Sequence, residues 1–504
     1  MTCVFAVPGH PKYSLMSGMD WLEPGDYWLA RLALEKSIGA LCLIGFFNVV
    51  NQFKPLLGER GLLPVRRFVK EVPFRELPSL FFYFPSDKAF TLCGWIGVVL
   101  SALIVSGLVD RYTWALLAIW AVLWVLYLSF VNVGQVFYGF GWESILLEAG
   151  VLSAFLGGSH TNAQVAVMWL FRWLLFRVMF GAGLIKLRGD SCWRDLTCLD
   201  YHYETQPIPN PLSWFFHHGP KWSRSGGVLF NHFAELILPF GYFLPQPIAS
   251  IAGALTILFQ LLIFFSGNLS WLNVLTLCLA FSCLDDRTLA SLFPVHTPAT
   301  HTPDIVFRVV TAALFVLVIV LSVKPVRNLL SRRQVMNTVY NRFHFVGTYG
   351  AFGGVTRERY EIVVEGTDET VITASTKWRE YEFKGKPGDP SRLPPQIAPY
   401  HLRLDWLMWF AAMGSYRRHP WFIHFLAKLL EGDKAILGLI KTNPFPDSPP
   451  RYVRALLYQY RFSSPQVRKK TGLWWVRESV GSYFPTVSLQ SPALRALLQQ
   501  MEWK

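Results

Sequence analysis

The sequence predicts a polytopic α-helical membrane domain followed by a soluble α+β domain with a small antiparallel sheet. Three observations carry that reading. The 504 residues are 52% hydrophobic and only 16% charged, against about one-quarter charged in soluble chains. Several stretches reach the ~20 apolar residues that a bilayer crossing requires. The charge is also divided: residues 1–323 hold 20 Lys+Arg against 19 Asp+Glu, whereas 324–504 hold 27 against 14. Nearly all of the net +14 therefore sits in the last third. Two parts of one chain are built for different solvents.

Residues 1–27 form an N-terminal segment. It has no basic start, and Pro8 and Pro11 interrupt the place where a secretory apolar run would lie, so the first span itself is expected to direct insertion. The multi-pass domain is expected over 28–323. Phe90 to Leu108, Trp114 to Val133 and Ile305 to Val323 are long enough outright, and Pro247 to Gly267 is broken only by Gln260 and a few hydroxyls. Ile38 to Val50, Ser144 to Phe155, Val165 to Leu187, Val228 to Phe243 and Trp271 to Leu284 are shorter or carry charge. The expected count is about nine membrane helices, some short or re-entrant.

A basic juxtamembrane linker, 324–342, follows with Lys324, Arg327, Arg332 and Arg333. By the positive-inside rule these side chains, like Arg60, Arg66, Arg67, Lys70 and Arg75 in an earlier loop, belong in the cytoplasm. They can equally meet acidic headgroups, so the orientation stays open at this point.

The soluble domain is expected over 343–504. Tyr360 to Glu365, Thr370 to Ser375 and Glu380 to Lys384 alternate or are rich in β-branched residues, with Gly366, Gly385 and Gly388 between them. They predict strands. Leu404, Trp406, Leu407 and Phe410, then Phe422 to Leu430 and Ala435 to Ile440, turn helical. Tyr452 to Phe462 and Leu473 to Val476 read as a return to strand after a rigid connector of Pro444, Pro446, Pro449 and Pro450. The expected order is sheet first, helices after.

Ionisable groups at bilayer depth are costly and normally face a partner. Glu143, Glu148, Arg172, Arg177, His232 and Glu235 all lie within apolar runs. They predict a buried intramembrane network, either a structural one that fixes helix register or the lining of a polar cavity.

The run from Gly181 to Pro220 is unlike an ordinary connector. Gly181 and Gly183 allow backbones to approach closely, and Lys186 and Arg188 mark the membrane edge. Beyond them Asp190, Arg194, Asp195, Asp200 and Glu204 interleave with Trp193, Tyr201, His202 and Tyr203. Such a mixture suits a recognition surface or an interfacial belt. Cys192 and Cys198 form a disulfide if this loop faces an oxidising space and stay free otherwise. The other cysteines, Cys3, Cys42, Cys93, Cys278 and Cys283, lie in or beside apolar runs. There is no CxxC pair, no metal-ligand spacing, no cofactor motif and no nucleophile–base–orienter trio, so no metal or cofactor is expected. No basic helix with interleaved stacking aromatics appears either, which argues against nucleic acid. In the tail, Arg403, Asp405, Trp406 and Trp409 are either a partner-binding patch or a packed helix with one ion pair.

The run GAGLIKLRGDSCWRDLTCLDYHYETQPIPNPLSWFFHH resembles the signature of the lipase maturation factor family. RLDWLMWFAA, PRYVRALLYQYRFSS and WWVRESVGSYFPTVSL resemble that family's C-terminal domain. The resemblance implies a non-enzymatic, chaperone-like membrane protein that helps secreted lipases fold and assemble. Its partners would be membrane lipids and a lipase or other client. Its place would be the endoplasmic reticulum membrane in a eukaryote, with the tail lumenal, or the plasma membrane in a bacterium. The single sequon, Asn268-Leu269-Ser270, lies between apolar segments where glycosylation is not expected. Two other classes stay open. GAGLIKLRGDSCW is faintly similar to membrane proteins related to the vitamin K-dependent carboxylase, which would make Lys186 a base; a snorkelling lysine is the plainer account. A transporter is the third, without an internal repeat to support it.

Overall fold

The computed structural model describes residues 27–292 and 298–500. The N-terminal segment up to Asp26, with Cys3, lies outside the described residues. In chain order the membrane half contains α1 (Trp28–Leu57), α2 (Asp87–Ser106), α3 (Thr113–Val133), α4 (Gly141–Ser153), α5 (Val165–Arg188), α6 (Lys221–His232), α7 (Ile248–Phe264), α8 (Leu272–Ala280) and α9 (Ile305–Leu330). All nine apolar stretches are helical over most of their length. Among the described residues, five helices are long and apolar enough to cross a membrane: α1, α2, α3, α5 and α9. α7 and α8 are apolar but shorter. Between α6 and the turn Leu238–Gly241 lies one π-helical turn, Phe233–Ile237.

Local chemistry sets these helices. α2 starts where the Ser86 hydroxyl accepts from Ala89 N at 3.3 Å, with Asp87 in the first turn, and stops at Gly107 in the left-handed region. α2 and α1 approach so closely that a Cβ on Gly97 would fall 2.2 Å from Phe46 Cδ1. Small residues at such crossings permit the packing that stands in for hydrophobic drive inside lipid. α5 is the central helix: 72% of its most apolar window is buried, against 28% for α9, which lies at the lipid-facing rim.

The C-terminal region holds a four-stranded antiparallel sheet of β1 (Arg359–Thr367), β2 (Arg379–Glu380), β3 (Tyr452–Phe462) and β4 (Trp475–Val487), in the order β2-β1-β3-β4. Arg359 pairs with Tyr460 and Thr367 with Tyr452. Helices α10 (Arg403–Ala412) and α11 (Pro420–Glu431) lie in sequence between β2 and β3. α11 begins with Pro420 at its first position, where a missing N–H costs nothing, and ends at Gly432 with φ +66°.

The expected order of sheet then helices is therefore corrected. Helices interrupt the sheet, and its longest strand comes from the C-terminal 475–487 rather than stopping at Val476. Thr370–Ser375 is not a strand. Thr373 N donates to the Thr376 hydroxyl at 2.9 Å and Lys377 N to Glu369 at 2.8 Å. These local side-chain bonds satisfy a backbone that has no neighbouring strand, and they outcompete β-propensity. Glu380–Lys384 contributes only its first residue to a strand.

The two halves share one interior. Buried side chains run without a break from α1 and α4 into α10 and α11.

Candidate functional site

Two seams join the halves, and the polar residues singled out above are distributed between them.

At the first seam α10 inserts Arg403 among the membrane helices. Its guanidinium meets Glu143 at 2.7 Å, and donates to Asn48 Oδ1 at 2.8 Å and to the Phe137 carbonyl at 2.7 Å. It also lies 3.5 Å from the Tyr138 ring centroid. Tyr127 donates to Glu143 at 2.5 Å. Asn48 and Gln52 both donate to the His401 carbonyl. His401 is fully enclosed, and burial followed by Arg403 holds its pKa well below the usual histidine range, so the ring is neutral. Asp405 is buried too; its carboxylate receives Gly385 N and Lys386 N, while burial pushes its pKa up. Of the two readings of Arg403, Asp405 and Trp406, a partner-binding patch or a packed helix with an ion pair, burial of all three favours the packed helix. Only Trp409 is partly open, donating to the Thr205 carbonyl at 3.0 Å. The buried guanidinium of Arg403 is neutralised by a buried anion, and the anion comes from the other domain.

Glu148 and Arg177 form a separate, fully buried pair, closed by Tyr349 donating to Glu148 at 2.8 Å and by Arg177 donating to the Gly347 carbonyl. Gly181 admits this segment: a Cβ there would stand 2.3 Å from the Tyr349 carbonyl oxygen. Among the described residues Arg172 has no carboxylate partner; it donates to the carbonyls of Ser282 and Tyr242 and to the Tyr27 hydroxyl. The six intramembrane groups thus do not close into one network. They resolve into distinct clusters, two completed by residues from the tail or the linker.

The second seam is built on residues 181–220. Asp190 caps the helical turn Ser191–Arg194 and pairs with Arg357 at 2.7 Å; that guanidinium holds the Asp190 pKa at about 2. Arg357 also lies over the Tyr201 ring. Trp193 donates to the Phe352 carbonyl, and His232 Nε2–H donates to the Trp193 carbonyl at 2.9 Å. Arg359, on β1, pairs with Glu361 at 2.5 Å and donates to the carbonyls of Glu204, Gln206 and Pro207. The Glu204 carboxylate accepts from Phe462 N. Asp200 pairs with Arg224. Cys192 and Cys198 are joined by a disulfide. Of the nine charged and aromatic loop residues named from the sequence, only Arg194 and Asp195 are exposed. The loop is a clasp held from both sides, and its recognition-surface reading is narrowed to those two residues.

Behind the clasp lies a cavity of about 610 Å³, bounded by loop, membrane helices and α10. Lys186 faces it. Its ammonium donates to Glu235 at 2.6 Å and to Asn231 Oδ1 at 2.9 Å, and stands 4.9 Å from the Trp193 ring centroid. Asn231 donates back to Glu235 at 2.9 Å. Lys186 is thus buried and paired, which corrects the snorkelling account. Glu235 sits on the π-helical turn, a feature common at functional sites. His202 lines the same cavity; burial, then Lys186, lowers its pKa to about 4, so it is neutral. Tyr203 is held up at about 12 by burial. A second depression, about 560 Å³ between α5 and α9, is almost wholly apolar and faces outward. Among the described residues no cluster of three or more His, Cys, Asp or Glu is placed to hold a metal.

Sequence reasoning missed Asn231, Arg357, Arg359 and Asn268. Asn231 had a signal, four residues before Glu235 on one helix face. Asn268, the sequon asparagine, is 1% exposed; it donates to the Pro209 and Pro395 carbonyls and accepts from Ile397 N and Ala398 N. It ties the loop to the tail.

Residues 29–291 match the family model described as the lipase maturation factor transmembrane domain, and 345–485 match the lipase maturation factor C-terminal domain. The chain is 44% identical to human lipase maturation factor 1 over 96% of its own length and 91% of that protein. It is 43% identical to the Bos taurus protein of the same name, over 96% and 92%. With Xenopus laevis lipase maturation factor 2 the identity is 30%, over 94% and 85%. No solved structure matches. These comparisons give no support to a carboxylase-like enzyme or a transporter. With both domains matched in order and nearly end to end, the chain belongs to the lipase maturation factor family.

Proposed function

We propose that this chain is a membrane-embedded folding platform for secreted lipases, acting by holding a client rather than by chemistry of its own. The observation that supports this most is the match of both halves, in order, to proteins named for lipase maturation. The way the tail is locked into the membrane half supports it further. Arg403 fixes α10 among the membrane helices and Arg359 fixes the C-terminal sheet to the 181–220 loop, so a client on that sheet would be held at the membrane surface.

The compartment we propose is the endoplasmic reticulum, with loop and tail lumenal. The Cys192–Cys198 disulfide supports this, since such bonds persist on the oxidising side. The tail grips that same loop, so both lie at one end of the bundle. This reading sets aside the positive-inside count, which concerns short loops rather than a folded domain.

The test is secreted lipase activity per unit of lipase protein, in cells lacking their own maturation factor. Expression of this chain is expected to restore it, and so is the double variant Lys186→Met with Glu235→Leu, which leaves no carboxylate buried without its cation, provided the protein accumulates. No restoration by an abundantly expressed chain overturns the lipase reading. Loss of restoration in that double variant, at the parent's protein level and thermal stability, overturns the non-enzymatic one.

A further inference from the structure

The cavity behind the clasp is larger than packing defects in protein interiors, where voids seldom exceed a water. It falls in the range of ligand sites, about 300–1,000 Å³. Its walls differ in kind. Met179, Phe230 and Phe259 form an apolar side at the depth of the membrane helices. Lys186, His202 and Tyr203 lie toward the loop. At the rim stand Leu262, 43% exposed, and Phe410, 38% exposed. An apolar rim suits entry from lipid rather than from water.

The polar side has capacity to spare. His202 has no side-chain hydrogen bond among the described residues, nor has the Tyr203 hydroxyl. The neutral imidazole offers one donor and one acceptor. Lys186 uses two of its three protons, on Glu235 and Asn231. Charge decides the head group. The lysine is already neutralised by Glu235, and Arg224, the other cation in the wall, by Asp200, so a carboxylate or phosphate would add an anion with no free counter-charge beside it. A cationic head would face Lys186. Desolvating either charge without a partner is costly. A hydroxyl or ester head meets the spare donors and acceptors without that cost.

We propose that this cavity binds a neutral, long-chain acyl lipid with a hydroxyl-bearing head, the head against His202, Tyr203 and Lys186 and the chain against Met179, Phe230 and Phe259.

The test uses the full chain in native membranes and three photoactivatable, clickable probes of equal chain length: a monoacylglycerol, a fatty acid and a phosphatidylcholine. Adducts are mapped by peptide mass spectrometry. The monoacylglycerol is expected to label peptides carrying 179–186, 227–235 or 259–263 in preference to the other two. His202→Leu, which keeps the wall but removes the head's partner, is expected to lower that labelling about 5-fold, the worth of roughly one hydrogen bond. Leu262→Trp, which narrows the exposed rim without placing a charge in lipid, is expected to lower it as well. Unchanged labelling in both variants, with thermal unfolding like the parent's, overturns the proposal. So does adduct confined to the outer surface of α9, or equal labelling by the fatty acid or the phospholipid.

Discussion

The two seams between the halves are made of similar materials and put to different uses. At the Arg403 seam every strong donor and acceptor turns inward: a guanidinium, a carboxylate, two amides and a tyrosine ring close on one another, with Arg403 and Glu143 both 0% exposed. At the Lys186 seam a similar pair, Lys186 and Glu235, borders open space, and the contacts that hold the clasp are partly at the surface, Arg357 being 41% exposed. A buried charge pair with no room beside it is a weld. The same pair beside a cavity leaves room for something to bind and for the wall to move. The first seam therefore carries the relative placement of the halves, and the second carries adaptability.

The largest effect is expected from breaking the weld. Arg403→Met leaves Glu143 buried without its cation, which costs about 3–5 kcal/mol. Thermal unfolding in detergent should show a large drop or no folded protein. Adding Glu143→Leu should recover much of it, since the uncompensated charge is then gone. A mild single-variant effect, or a double variant no better than the single, would show that the seam is not held as argued.

An intermediate effect is expected from opening the clasp. Replacing Cys192 and Cys198 by serine releases a short loop, worth about 2 kcal/mol in the chain-entropy account. The loss should be local: faster hydrogen exchange over residues 190–205, with the melting of the rest little changed. Global destabilisation matching that of Arg403→Met would erase the distinction between the seams.

How far the sequence showed this depends on whether a feature is local. The helices were legible because each apolar run declares itself within ~20 residues. The clasp was legible as unusual, and its two cysteines as a possible pair. What was not legible is pairing across distance. Glu143 and Arg403 are 260 positions apart, and nothing local in WESILLEAG or RLDWLMWFAA tells each that the other is its partner. The choice between patch and packed helix stayed open for Asp405 and Trp406 because a charge beside tryptophans is the usual pattern of a binding patch. The same composition serves a helix that buries its charges in a neighbouring domain. β4 was cut short for a related reason: beyond Val476 it is mostly exposed and carries little alternation, so its order comes from pairing with β3.

The smallest expected effect sharpens the comparison through pH. His202 and His217 both lie at the clasp, and both are held neutral with pKa values of about 4. Burial is the first cause for each, followed by Lys186 for His202 and by His218 and Arg224 for His217. In the opened loop their pKa returns to about 6.5, so the open form binds more protons between pH 6.5 and 4. Stability of the closed clasp is therefore full above pH 6.5 and falls as pH drops towards 4. At pH 5.5 the loss amounts to about 1.4 kcal/mol for each histidine freed. Hydrogen exchange over residues 199–224, corrected for the intrinsic pH dependence of exchange, should report opening about 10-fold more frequent at pH 5.5 than at 7.5 if it frees one histidine and about 100-fold if it frees both. His401, neutral at the weld, takes up its proton only when the halves separate, so that rarer opening gains a similar factor by the same linkage, and exchange across 401–412 should stay far slower than that of the loop at both pH values. His202→Phe should remove part of the loop's response while leaving that of 401–412 untouched. Equal protection against exchange at the two places, at either pH, would mean that they open together, and the molecule would then have one seam rather than two.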